Sequence, residues 1–138
     1  MFGRKRIKPL ELKHLEELED LMEGDEPILL DFYQVNCRSC QIMDGIVNEI
    51  AEEYAGGAKV VKVDVGRVAG AAQQFRIQST PTFVVLGRSQ KTSKKKRARQ
   101  QGEPPKAQMT PRWRVSGLVQ KDQMKRVLES NGARQAED

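Results

Sequence analysis

The chain has 138 residues, close to the commonest size of a single domain, so one domain is expected. Hydrophobic residues make up 38% and charged residues 31%, and no apolar run reaches the roughly 18 residues of a membrane helix, which predicts a soluble protein without membrane contacts. Residues 1–8 are basic, but the apolar stretch of roughly 7–15 residues that a signal peptide needs does not follow, so we expect the cytoplasm.

The first half of the chain alternates helix and strand patterns. An amphipathic helix ending at Gly24 is predicted by apolar residues at helical spacing, namely Leu10, Leu15, Leu18, Leu21 and Met22. The apolar run 28–33 predicts a strand buried on both faces, although it contains one acid, Asp31. An apolar stripe over 37–54 predicts a long helix that begins at the first cysteine, Cys37.

The second half continues this alternation. We predict a strand over 58–65, a short alanine-rich helix over 68–75 and a strand over 82–86. An edge strand over 113–116 and a helix over 120–129 follow further on. Strands that alternate with helices, with two adjacent strands near the end, predict an α/β fold whose central sheet mixes parallel and antiparallel strands.

Residues 88–112, the basic segment, hold nine Lys and Arg residues and one acid, a local charge of +8 in a chain whose net charge is +5. The segment has few apolar residues, so we expect a flexible loop insertion. Its densest charges are Lys94, Lys95, Lys96, Arg97 and Arg99. These residues could bind nucleic acid or an acidic protein, without base stacking because no aromatic residue lies among them. A solvated loop without a partner and a nuclear-import signal are the alternatives.

The two cysteines, Cys37 and Cys40, form a Cys-Arg-Ser-Cys motif. A disulfide between them closes too short a loop to stabilise the fold much, so the pair must serve reactivity or metal binding. A helix amino terminus and the adjacent Arg38 favour a thiolate. We therefore expect Cys37 to be the nucleophile and Cys40, one turn further along, to resolve the mixed disulfide.

A metal site is the alternative for the cysteine pair. Zinc needs four ligands, and His14, the one histidine of the chain, lies far away in sequence. Zinc or a cluster shared between two chains would still find four thiolates. We expect no metal and no cofactor other than the redox-active disulfide.

The surroundings of the pair resemble the thioredoxin family over 28–86, and the resemblance resumes from Trp113 onward. Asp31 precedes Cys37 by six residues, as the family's buried aspartate does, and Lys62 stands where the family has its partner lysine. The resemblance implies that Asp31 relays a proton to and from Cys40, and that Lys62 tempers the ionisation of this aspartate.

The substrate side of the motif also resembles the family. Thr80-Pro81 is similar to its cis-proline turn, which offers backbone hydrogen bonds to an extended substrate, and Gly117 is similar to its late glycine beside the groove. With Arg38, these residues are the expected substrate-binding set. The resemblance implies a thioredoxin-like fold, a mixed sheet of four or five strands with helices on both faces. It also implies a protein-disulfide reductase that is recharged by an upstream enzyme such as thioredoxin reductase.

The chain departs from the family pattern Trp-Cys-Gly-Pro-Cys. Asn36 and Arg38 stand where the family has Trp and Gly, Tyr33 replaces an earlier Trp, and Gly45 replaces a helix-kinking Pro. The smaller apolar surface and the added charge imply fewer partner proteins. An arginine that stabilises the thiolate of the nucleophile also stabilises the reduced form, which implies a more oxidising pair. The second hypothesis is a redox-silent or redox-gated adaptor that binds a polyanionic or acidic partner through the basic segment.

Overall fold

Five strands form one mixed sheet in the computed structural model, which describes residues 7–88 and 108–136. The elements in chain order are β1 (Leu10–Glu11), α1 (Glu17–Leu21), β2 (Ile28–Tyr33), α2 (Arg38–Glu53), β3 (Lys59–Asp64), α3 (Ala71–Gln74), β4 (Thr82–Arg88), β5 (Met109–Ser116) and α4 (Lys121–Ser130). The strand order is β1-β3-β2-β4-β5, in which β1, β2 and β3 run parallel while β4 and β5 each run antiparallel to the preceding neighbour. The expected α/β fold with a mixed sheet is confirmed.

Helices cover both faces of this sheet. Alternate residues of each central strand point to opposite sides, and apolar residues on both sides must be buried. Leu29 of β2 packs with Met43 of α2 and with α4 on one side. Leu30 packs with Leu18 of α1 and with α3 on the other side. Asp31 follows Leu29 by two residues and therefore points toward α2. None of the helices in the described ranges is long and apolar enough to cross a membrane.

The prediction of a helix that includes Leu10 is wrong. Leu10 pairs with Val61 as part of β1, the Leu12 amide donates a hydrogen bond to the Lys62 carbonyl at 2.9 Å, and α1 begins only at Glu17. The edge of β3 offers unpaired backbone groups, and satisfying them outweighs a helical apolar spacing in an otherwise short segment. The helix also ends at Leu21, before the expected stop at Gly24.

The last two strands are longer than predicted. β4 continues to Arg88 and β5 starts at Met109, so both ends of the basic segment belong to strands. β5 includes Pro111, because it is an edge strand, where a residue without an N–H is tolerated, and the pairing is irregular at Val85/Leu86 beside it. Residues 89–107 lie outside the described part of the chain.

The β2-α2-β3 unit fixes where the chemistry is located. Two parallel strands joined through a helix place the carboxyl end of the first strand and the amino end of the helix at the same edge of the sheet. β2 ends at Tyr33 and α2 begins at Arg38, close to the predicted bounds of 28–33 and 37–54. The cysteine pair therefore lies at the carboxyl edge of the sheet.

Candidate active site

The cysteine pair forms a disulfide at the amino terminus of α2, with 5.2 Å between the two Cα atoms. Cys37 is the N-cap residue, and its Sγ accepts a hydrogen bond from the Cys40 amide at 3.2 Å. Cys40 is only 5% exposed, whereas Cys37 is partly accessible and Arg38 is exposed beside it. The sulfur that a partner can reach therefore also faces the unpaired N–H groups of the first helical turn, which favour a thiolate.

The turn before β4 lies against Cys37. Thr80-Pro81 is a cis peptide bond, as the resemblance implied. The Thr80 hydroxyl donates a hydrogen bond to Cys37 Sγ at 3.5 Å, and the Thr80 carbonyl oxygen is 3.6 Å from the same sulfur. Because a disulfide sulfur carries no hydrogen, the second contact is not a hydrogen bond in this oxidised state.

Gly117 lies next to this turn. Its amide donates a hydrogen bond to the Pro81 carbonyl at 2.9 Å, and its φ of 89° is in the left-handed region that favours glycine. The next residue, Leu118, is 63% exposed, and Val35 in the loop before the cysteines is 65% exposed. The predicted substrate-binding residues Thr80, Pro81 and Gly117 thus contact one another in turn, and Thr80 contacts the accessible sulfur.

Asp31 and Lys62 occupy paired positions on adjacent parallel strands and point to the same side of the sheet, toward α2. Asp31 is 2% exposed, and its Oδ1 has no hydrogen-bond partner within the described residues. The Lys62 ammonium forms an ion pair with Asp44 of α2 at 3.0 Å and lies 4.5 Å from the centre of the Tyr33 ring. The two predicted residues are therefore neighbours, but the ammonium bonds a different carboxylate.

Burial raises the pKa of Asp31 from 3.8 to about 7. The positive charge of Lys62 lowers this pKa, while the negative charges of Asp44 and Glu11 raise it. A carboxyl group with a pKa near neutrality can both accept and return a proton under ordinary conditions, which is what a general acid-base residue needs.

Sequence reasoning missed two carboxylates near Asp31, those of Glu11 and Asp44. Glu11 accepts a hydrogen bond from the Tyr33 hydroxyl at 2.8 Å, and burial together with this carboxylate raises the pKa of Tyr33. Glu11 was missed because its segment was assigned to a helix. Asp44 had a signal, since it lies four residues after Cys40 on the same helix and thus one turn below it.

Two other expectations concern parts of the chain away from this site. The five predicted polyanion-binding residues, Lys94, Lys95, Lys96, Arg97 and Arg99, lie outside the described residues. Within the described ranges, no group of three or more His, Cys, Asp or Glu side chains is placed so that it could hold a metal ion.

Known proteins are similar to this chain in sequence. The thioredoxin family model matches residues 10–109. Thioredoxin 1 of a Nostoc species is 36% identical over 73 residues, which are 53% of this chain and 68% of that protein. The chloroplastic thioredoxin Y1 of Arabidopsis thaliana is 35% identical over 72 residues, or 51% of this chain, and the match spans less than half of that longer protein, 42%.

A solved structure agrees with these sequence matches. A mutant thioredoxin from Halobacterium salinarum superimposes with a TM-score of 0.68 at 25% identity, and the match covers 95% of this chain and 96% of that one. The fold is therefore thioredoxin-like, as the resemblance implied, and the cysteine pair lies within the matched region. The chain belongs to the thioredoxin family of thiol-disulfide oxidoreductases.

Proposed function

We propose that this chain reduces disulfides in other proteins, with Cys37 as the attacking sulfur and Cys40 as the resolving sulfur. The observation that carries this assignment is the difference in exposure within one disulfide: Cys40 is 5% exposed, whereas Cys37 is accessible at the helix amino terminus. A partner disulfide can approach only the accessible sulfur, so the first bond must form there.

The reaction proceeds by two exchanges. The Cys37 thiolate attacks one sulfur of the substrate disulfide, a mixed disulfide forms, and the other substrate sulfur leaves as a thiolate that takes up a proton. Asp31 as carboxylate then accepts the Cys40 proton, and the Cys40 thiolate attacks Cys37 Sγ. The Cys37-Cys40 bond forms, the second substrate sulfur leaves, and two electrons have passed to the substrate. No cofactor is needed, because the cysteine pair itself carries these electrons.

The turn at Pro81 is the proposed docking site for an extended substrate segment. The Thr80 backbone is next to the reacting sulfur, and a strand-like peptide could pair with it through main-chain hydrogen bonds, which carry no sequence preference. Gly117 leaves space beside the turn, since an added side chain there would meet no atom within 4 Å. The exposed Arg38 then selects among peptides, favouring those with an acidic residue beside the disulfide.

An insulin-reduction assay with single cysteine variants tests this assignment. The two cysteines are each other's matched control: Cys37→Ser is expected to abolish both turnover and mixed-disulfide formation, whereas Cys40→Ser is expected to lose turnover but accumulate a covalent complex with the substrate. A complex formed by Cys37→Ser instead would reverse the roles. Absence of turnover by the unaltered chain with every dithiol reductant would overturn the proposal.

An upstream enzyme must return electrons to the oxidised pair. We propose a reductase of the thioredoxin reductase class, and coupled NADPH consumption with that enzyme and insulin is the measurement. The cytoplasm stays our proposal for the compartment, and cell fractionation tests it, since one of the relatives named above is chloroplastic.

An adaptor function of the basic segment is the second candidate, and the local charge of +8 favours it. Replacing its five clustered charges by glutamine keeps the chain length and removes the attraction to polyanions. The replacement is expected to abolish salt-sensitive binding to heparin and to leave insulin reduction unchanged. Unchanged binding to heparin would contradict this function.

A further inference from the structure

We propose that Asp44 is a positioning residue that holds the Lys62 ammonium at the surface of α2 and so leaves Asp31 without a salt-bridge partner. The inference rests on the proposed function, in which Asp31 moves the Cys40 proton. It concerns a residue of α2 that neither the motif nor the resemblance assigns to the site.

The strand register places Asp31 directly beside Lys62. Their Cα positions are paired on neighbouring parallel strands, which lie about 4.8 Å apart, and both side chains point toward α2. An ion pair between them would therefore be the simplest outcome. Instead, Lys62 Nζ donates a hydrogen bond to Asp44 Oδ1 at 3.0 Å, and no ion pair between Lys62 and Asp31 occurs in the described part of the chain.

Desolvation explains this choice. The Asp44 side chain is 42% exposed and the Lys62 side chain 19% exposed, so an ion pair between them keeps part of its hydration. Asp31 is 2% exposed, and an ammonium drawn down to it would lose its remaining water. A long lysine side chain can instead bury its methylene groups and keep its charged end near the surface.

A second side chain, that of Tyr33, also contacts the ammonium. The Tyr33 ring lies 4.5 Å from Lys62 Nζ, within the range of a cation–π contact. The Tyr33 hydroxyl donates to Glu11, which is itself paired in register with Lys62 on the other side of β3. Asp44 thus binds the ammonium from the helix while the aromatic ring contacts it from β2.

The groups that face Asp31 all act through charge or desolvation. Lys62 comes from β3, Asp44 from α2, whose amino-terminal end carries the two cysteines, and Glu11 from β1, while the residue opposite Asp31 on β4 is Phe83, which carries no charge. In the oxidised protein the cysteines do not titrate. Loss of the Asp44 charge therefore lowers the pKa of Asp31 in two ways. It removes the repulsion from a second carboxylate, and it frees the Lys62 ammonium to approach Asp31.

The experiment is an NMR titration of the Asp31 carboxyl carbon in the oxidised full-length chain. Asp44→Asn is expected to lower the pKa of Asp31 by about 1 unit, the effect of an opposite charge that moves within a few ångströms. Asp44→Glu keeps a carboxylate and is expected to titrate like the unaltered chain. Glu49→Gln is the matched control, because it removes another carboxylate of α2 that pairs with a lysine, Lys121, at 2.7 Å.

A double variant separates the two ways in which Asp44 could act. In a Lys62→Met background, Asp44→Asn is expected to lower the pKa of Asp31 by less than half as much as it does in the unaltered chain, since no ammonium is left to reposition. An equal shift in both backgrounds, or no shift from Asp44→Asn alone, would overturn the proposal. The titration needs no turnover, so its outcome is independent of whether the chain reduces protein disulfides.

The same variants have a kinetic readout. The acid limb of the insulin-reduction rate is expected to move to lower pH in Asp44→Asn, in step with the NMR titration, and to stay in place in Glu49→Gln. A merely structural role of Asp44 would lower the rate at every pH without moving the limb, and that result would contradict the proposal.

Discussion

The Thr80 hydroxyl donates a hydrogen bond to Cys37 Sγ at 3.5 Å, although the two residues are 43 positions apart in the sequence. The contact joins the turn before β4 to the amino terminus of α2, so two separate elements supply donors to one sulfur. The Cys40 amide is the other donor, at 3.2 Å. Both contacts become stronger when the sulfur is a thiolate, because a hydrogen bond to a charged acceptor is stronger than one to a neutral acceptor.

Thr80→Val is therefore expected to slow the reaction of the reduced chain with iodoacetamide at pH 7. Valine keeps the branched shape but lacks the donor, and the loss of one such hydrogen bond corresponds to on the order of a fivefold decrease in rate. Thr80→Ser retains the hydroxyl and serves as control. Equal alkylation rates in the two variants would mean that the hydroxyl does not stabilise the thiolate.

Arg38→Gln is expected to make the pair more reducing. The exposed arginine favours the thiolate and hence the reduced state, and an exposed charge is worth about 0.2–1 kcal/mol, which corresponds to roughly 5–20 mV for a two-electron couple. Equilibration with glutathione buffers measures the potential. The difference should shrink in about 1 M salt because of screening. Arg126→Gln, an exposed arginine of α4, should leave the potential unchanged, and an equal shift in both variants would contradict a local effect.

Asp31→Asn is expected to stabilise the oxidised chain at pH 8.5 but not at pH 4. The pKa of the Asp31 carboxyl is 3.8 in the unfolded chain and about 7 in the folded chain. The protonated carboxyl therefore contributes its full stability below pH 3.8, and this contribution is lost as the pH rises through the folded pKa. The difference between the two values corresponds to on the order of 4 kcal/mol. Urea unfolding at several pH values measures the difference in the free energy of unfolding between the variant and the unaltered chain. Asp122→Asn, on the surface of α4, is the control, and a difference independent of pH would contradict the assignment.

The central part of the fold could be predicted because local pattern and tertiary environment agree there. The apolar run 28–33 is buried in the middle of the sheet, and the stripe of α2 faces its core. At the sheet edges the pattern fails. Leu10 pairs as a strand because β3 offers an open edge, and residues 109–112 extend β5 despite Pro111, because an edge strand does not need that N–H.

The candidate site divides in the same way. The cysteine motif is visible in the sequence itself, at the start of a helix whose pattern is clear, whereas Asp31, Lys62 and Pro81 are predicted from the resemblance to the thioredoxin family. The ion pair of Lys62 with Asp44 could not be predicted, because it depends on which of two carboxylates a flexible side chain reaches. Lys62 pairs with the more exposed of the two carboxylates. Which of them is more exposed is known only once the helix is placed over the sheet.

Two glycines provide the last prediction, with opposite signs. Gly45 lies in the middle of α2, on its exposed side, and an added Cβ would meet no atom within 4 Å. Gly45→Ala is therefore expected to raise stability by about 0.5–1 kcal/mol, because alanine loses less backbone freedom on folding. For a domain of this size that is about 2–4 °C in the melting temperature.

Gly57→Ala is expected to lower stability. Gly57 follows α2 in the turn before β3, and a Cβ there would collide with the backbone carbonyl oxygen and amide nitrogen of Arg134 in the carboxyl-terminal segment. Backbone atoms cannot move aside as a side chain can, so that segment must shift away from the turn, at a cost of about 1–3 kcal/mol. Thermal unfolding of both variants, monitored by circular dichroism, decides the signs. A lower melting temperature for Gly45→Ala would mean that α2 needs the freedom of glycine at the position where the family pattern has its helix-kinking proline.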